Sequence, residues 1–210
     1  GNHNAYSNKP WINKLMGRTV DLVGGNAEMW MIQHNVLHHT FTNIDGLDED
    51  ISPAPVLRFN PNNPLYKIHR FQHIYAWFFY SLMTIYWMIS KDWQALARYK
   101  KKDLIKSTGK STGGIAVYMV FSKLFYYFYS IALPILFSGL AWWIVVLGWV
   151  VMHAVAGFLM AIIFQPAHVL EHHLFHDGVE APSLDTERLQ HQLQTSSNFG
   201  VKSRLLTWLC

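Results

Sequence analysis

Two long apolar stretches, Ile115 to Phe137 and Leu140 to Phe164, stand almost end to end, with only Ser138 and Gly139 between them. Nothing else in the chain restricts its fold as much. Each approaches or exceeds the ~20 residues that a helix needs to cross a bilayer, and so short a gap predicts a tight helical hairpin that crosses and returns. Lys123 interrupts the first stretch, and Pro134 predicts a kink that does not prevent insertion. A soluble core is the competing reading. Against it, charged residues make up 14% of the chain, well under the ~25% of a typical soluble domain. The abundant Trp, Tyr and Phe suit the bilayer interface.

Charge then orients the hairpin. Between Lys91 and Lys110 stand seven Lys or Arg against Asp92 and Asp103, which predicts a cytoplasmic connection. The hairpin should therefore return His168 to the cytoplasmic side. A shorter apolar segment, Ile74 to Ile89, is crowded with aromatics and reads as lying in the interface, or entering and returning, rather than crossing. Upstream, Trp11, Ile12, Leu15, Met16, Val20 and Val23 recur at helical spacing between basic residues, predicting an amphipathic helix that ends at Gly24 and Gly25. The fold class is all-α: a polytopic membrane helical protein with a cytoplasmic helical cap. We divide a single domain into a cytoplasmic region 1–70, an interfacial or re-entrant segment 71–90, a basic loop 91–114, spans 115–137 and 140–164, and a cytoplasmic segment 165–210. The chain opens on Gly1 and closes on "LLTWLC", and reads as a piece of a longer protein cut at both ends.

The net charge of +4 does not argue for nucleic acid, because the basic residues flank apolar segments and suit membrane anchoring and contact with membrane lipids. The single cysteine, Cys210, excludes an internal disulfide and any multi-cysteine metal site. Metal chemistry must then fall to histidine. In "HNVLHH", His34 and His38 stack one turn apart on a helix, and His39 is turned by about 100° from His38, so the three can address one metal or two neighbours. Imidazole suits iron, zinc, copper and nickel, so ligand type alone names no metal. A zinc protease would need Glu where Asn35 stands. Where the last membrane helix emerges, His168 is a further ligand candidate, since an ionisable group at that depth is functional by default. His153, inside the apolar stretch, reads as a hydrogen-bonded core histidine, His176 as part of a solvated turn, and His191 as open. The acidic run Asp45, Asp48, Glu49 and Asp50 orients histidines, meets an electron donor or is simply solvated; it is no EF-hand, because Val56 occupies its twelfth position.

Taken together, "GNHNAYS", "HNVLHHTFTNIDGLDEDI", "FQPAHVLE" and "HQLQTSSNF" resemble the membrane fatty acid desaturases, specifically the bacterial branch related to front-end acyl-lipid desaturases. The resemblance covers nearly the whole chain. It implies three histidine boxes around a non-haem di-iron centre on the cytoplasmic face, with His3 closing the first box, His34, His38 and His39 forming the second, and His168 added from the last membrane helix. "VLEHHLF" departs from the third box, having Val169 in place of His or Gln, so that box is expected beyond Cys210. The implied reaction is oxygen-dependent desaturation of a fatty acyl lipid or acyl thioester. Two iron ions and dioxygen are needed, with electrons from a donor such as ferredoxin or cytochrome b5, and Trp30 or Tyr75 is placed to line an acyl tunnel. A related membrane hydroxylase or ketolase would use the same ligands. A membrane metal-binding or transport protein is the rival from another class, but it predicts ionisable residues aligned along the spans, where only Lys123 and His153 stand.

Overall fold

Apolar and amphipathic runs become helices through most of the described chain, and the computed structural model describes residues 7–51, 55–169, 174–176, 188–195 and 202–204. Among these there is no strand; the β-type pairing described is an isolated bridge between Ile44 and His176. Helix α1 spans Pro10–Gly17 and runs into a tighter 3-10 stretch, Arg18–Val23. Gly24 then ends it at φ +85°, where a Cβ would also lie 2.0 Å from Met88 Sδ. Only glycine meets both demands. Helix α2, Ala27–Met31, starts where Asn26 Oδ1 accepts from Met29 N at 3.1 Å, and it continues as a π-helical turn over Ile32–His38.

After a loop and a 3-10 lead-in, α3 covers Gln72–Tyr86, a π turn Trp87–Lys91 and then α4, Asp92–Lys101. The first part of the segment read as a basic loop is thus helical. Helix α5, Thr112–Tyr127, is capped by Ser111, whose Oγ accepts from Gly114 N at 3.0 Å. A π turn, Phe128–Ala132, precedes α6, Leu133–Phe137, and absorbs Pro134 without breaking the rod. Helix α7 is Trp142–His168 and α8 is Arg188–Thr195.

Two helical rods, Thr112–Phe137 and Trp142–Gln165, are long and apolar enough to cross a membrane, and only 11% and 17% of their most apolar windows are buried. A soluble core helix would hide such a surface. Here Phe121, Leu124, Trp142 and Leu147 are all more than half exposed, which suits hydrocarbon rather than water.

The chain divides into two compact units, Gly1–Val36 with Leu82–Ala156, and Leu37–Ser81 with Gly157–Cys210. In the first, α5 and the π turn after it carry three polar ties to the segment before α2. Lys123 Nζ donates to Gly24 O at 3.0 Å, Tyr118 OH bonds the Asp21 carboxylate, and Tyr129 OH bonds Leu22 O. His153 is a hydrogen-bonded core histidine, as read from sequence: Trp149 donates to Tyr126 OH at 3.1 Å, Tyr126 OH meets His153 Nε2 at 2.6 Å, and His153 Nδ1 meets Thr84 Oγ1 at 3.2 Å. A hydrogen on Nδ1 satisfies every member of that cluster. In the second unit, Gln72 pairs reciprocally with the Arg58 backbone at 2.7 and 3.0 Å, and Tyr75 OH donates to Val56 O at 2.7 Å, so the loop before α3 is bound to that helix.

Candidate metal centre

The histidine motif lies on the π-helical turn Ile32–His38, whose wider i to i+5 closure carries one more residue than an α turn and is frequent at functional sites. The chain then folds back sharply. Thr42 Oγ1 donates to His38 O at 2.7 Å, and Asn43 takes a left-handed φ of 59° that asparagine tolerates. This turn brings the acidic run under the helix end.

Asp48 is wholly buried, and its carboxylate is satisfied from three sides. His38 Nδ1 lies 3.1 Å from each oxygen, Asn43 N donates to Oδ2 at 2.9 Å, and Asp50 N donates to Oδ1 at 2.9 Å. Asp50 Oδ2 approaches the same ring nitrogen at 3.5 Å. Burial by itself would lower the His38 pKa, but the Asp48 hydrogen bond and the charges of Asp48 and Asp50 outweigh it and leave the pKa raised. A carboxylate that holds the hydrogen on Nδ1 fixes the tautomer in which Nε2 is the basic nitrogen, the arrangement that orients histidine towards a metal.

Within the second unit, His38 and Asp50 each offer a ligand atom to a metal, the two lying within 4.8 Å of each other. The His39 ring centroid lies 5.4 Å from that of His38 with planes inclined at 57°, so the two rings face different directions. Of the other sequence candidates, His3 lies outside the described residues. The His168 backbone closes α7, and its side chain is outside them.

Two further histidines border the turn, which sequence reasoning left as solvated or open. His176 N donates to Asn43 O at 3.0 Å and its carbonyl accepts from Asp45 N at 2.9 Å. Its ring is 5.6 Å from that of His191. His191 is buried, with Nε2 lacking a hydrogen-bond partner among the described residues. Burial first, and then the neighbouring His176, hold the His191 pKa below the usual histidine value against a backbone hydrogen bond to Thr42. The "HQLQT" spacing on a short helix was the available signal, since it sets His191 and Thr195 one turn apart.

Residues 1–210 match a family model described as fatty acid desaturase. The chain is 34% identical, over all its length and 58% of the relative's, to sn-1 linoleoyl-lipid 6-desaturase of Synechocystis sp.. It is 38% identical over 66% of its length, and 27% of the relative's, to a chloroplastic acyl-lipid (7-3)-desaturase of Chlamydomonas reinhardtii. An acyl-lipid (8-3)-desaturase of Physcomitrium patens is 30% identical over 97% of the chain and 42% of the relative. The chain thus spans 58% or less of the length of these curated relatives. No solved structure matches it.

Proposed function

The chain belongs to the fatty acid desaturase family, and we propose from that premise that the whole protein places a double bond in a fatty acyl chain carried on a membrane lipid. The relatives' names, which specify acyl-lipid substrates, support the lipid over a thioester carrier. The observation that carries the site is the Nδ1 of a buried His38 held by both oxygens of a buried Asp48.

The family is generally iron-dependent, and imidazole with carboxylate suits that metal. We assign His3, His34, His38, His39 and His168 as ligands of two non-haem iron ions, the rest of a near-octahedral set coming from elsewhere in the whole protein. Bound iron supplies the activation of dioxygen that an unactivated C–H bond requires. In the net reaction, adjacent CH2 groups give up two hydrogens, a protein donor such as ferredoxin or cytochrome b5 gives two electrons, and with two protons dioxygen leaves as two waters. The chain's own contribution is placement. Asp48 fixes the His38 tautomer, the lipid-facing rods hold the cap against the bilayer, and residues 71–90 lie in the interface with Ile74, Trp77 and Phe78 exposed. The basic 91–114 segment sets the site on the cytoplasmic face, and 165–210 completes the cap.

Expression of the full-length protein in a host, with gas chromatography and mass spectrometry of its fatty acids, tests this reading. A new unsaturated acid is expected, appearing first in the lipid pool and absent with His38→Ala. A hydroxylated product would convert the reading to a hydroxylase, and appearance first on a thioester would move the substrate.

A further inference from the structure

We propose that Trp30 is a positioning residue that fixes the ring plane of His34, and that the buried pair Asp92 and Lys123 holds Trp30 in place through Trp87. The proposal rests on the reading of His34 as an iron ligand.

An imidazole turns broadly and roughly two-fold about its outer torsion, whereas a metal ligand must keep its lone pair in one direction. Four residues before His34, Trp30 removes that freedom. The rings stack with centroids 4.7 Å apart and planes within 14°. An indole held only by stacking would turn with the imidazole, but Trp30 also meets Trp87, at 4.9 Å. Trp87 cannot turn either, because its Nε1 donates to Asp92 Oδ1 at 2.9 Å. The Lys91 ammonium lies over both indoles, 5.9 Å from Trp30 and 5.1 Å from Trp87.

The series of contacts ends on a charge pair where charge is costly. Asp92 and Lys123 are 2% and 6% exposed in their side chains and 2.9 Å apart, with Lys123 inside an apolar rod. Lys123 Nζ uses its remaining hydrogens on Gly24 O at 3.0 Å and Met88 O at 2.8 Å. Well-packed apolar residues would serve stability at least as well at such a place. What they would not supply is a carboxylate oxygen at a fixed point for the Trp87 N–H. Directed bonds therefore run from the membrane rod to Trp87, and ring packing carries the constraint from there to His34.

The full-length enzyme, purified with iron, provides the test through iron content, release rate to a chelator and the Mössbauer spectrum, with thermal stability measured for every variant. Trp30→Leu should release iron about tenfold faster, the effect usual for losing an outer partner of a metal ligand, and broaden the spectrum. Trp30→Phe, which can still stack, should stay within about twofold of wild type on the same scale. Trp87→Phe, which keeps a ring and loses the N–H, should fall between them. Ile105→Ala, a buried truncation in the same unit outside these contacts, controls for general destabilisation and should release iron at the wild-type rate. Wild-type release from Trp30→Leu, or equally fast release from Ile105→Ala at matched stability, overturns the positioning role alone. A wild-type enzyme that binds no iron overturns the ligand reading and this proposal with it.

Discussion

Both carboxylate oxygens of Asp48 lie 3.1 Å from Nδ1 of His38, and solvent reaches neither side chain to any extent. Two backbone donors hold the carboxylate as well, so its position is set independently of the histidine it serves. An asparagine in its place would remove the charge and turn an acceptor pair into a mixed amide. Asp48→Asn should weaken iron binding by roughly 10- to 100-fold, measured by competition with a chelator. Asp45→Asn, in the same loop, should leave binding unchanged, because the described bond of that residue is made by its backbone N–H.

The raised pKa of His38 gives the metal-free protein a pH dependence of definite sign. The folded value lies above the usual ~6.5, so the charged His38 with Asp48 stabilises fully below that pH and the contribution disappears as pH rises through the folded value. The difference in thermal stability between wild type and His38→Gln, both stripped of iron, should therefore be larger at pH 6 than at pH 8, as roughly set by these values. Iron requires the neutral ring, so uptake should release protons and weaken over the same window as pH falls. A flat difference between the two pH values would contradict the assignment.

Lys123→Met alone leaves Asp92 buried and unpaired, an error that costs about 3–5 kcal/mol. The double variant Asp92→Asn with Lys123→Met retains an oxygen for the Trp87 N–H and buries no charge. Its unfolding midpoint in detergent should lie much closer to wild type than that of the single variant. Equal losses in the two would show that the ion pair itself stabilises the rod.

Gly24 and Gly46 both adopt positive φ, at 85° and 72°, but a Cβ meets Met88 at the first and open space at the second. Gly46→Ala should cost only the left-handed strain, about 1–2 kcal/mol. Gly24→Ala adds displacement of Met88 and should cost clearly more, as read from thermal unfolding of the two variants side by side.

Local patterns made part of this molecule legible. The apolar hairpin, the amphipathic α1 and the helical "HNVLHH" follow from residue spacing alone, and the acidic run beyond it was visible as a partner for histidine. Which acid would serve was not, because that depends on the left-handed turn at Asn43. The Asp92–Lys123 pair was hidden for another reason: its members are far apart in sequence, and Lys123 registers only as a fault in a span. For Trp30 the sequence offered a place along an acyl tunnel but no sign that its ring stacks on His34, since composition does not carry ring geometry.

The π-helical turn Ile32–His38 has a consequence for how the motif can change over generations. An extra residue is accommodated there, so deleting one would let the turn tighten to α geometry with the residues after it still nearly in phase, whereas a second deletion would rotate everything after it by about 100°. Only at that second loss would His38 point away from Asp48. The turn is therefore a reserve of helical phase, open to the loss of one residue and closed to the next.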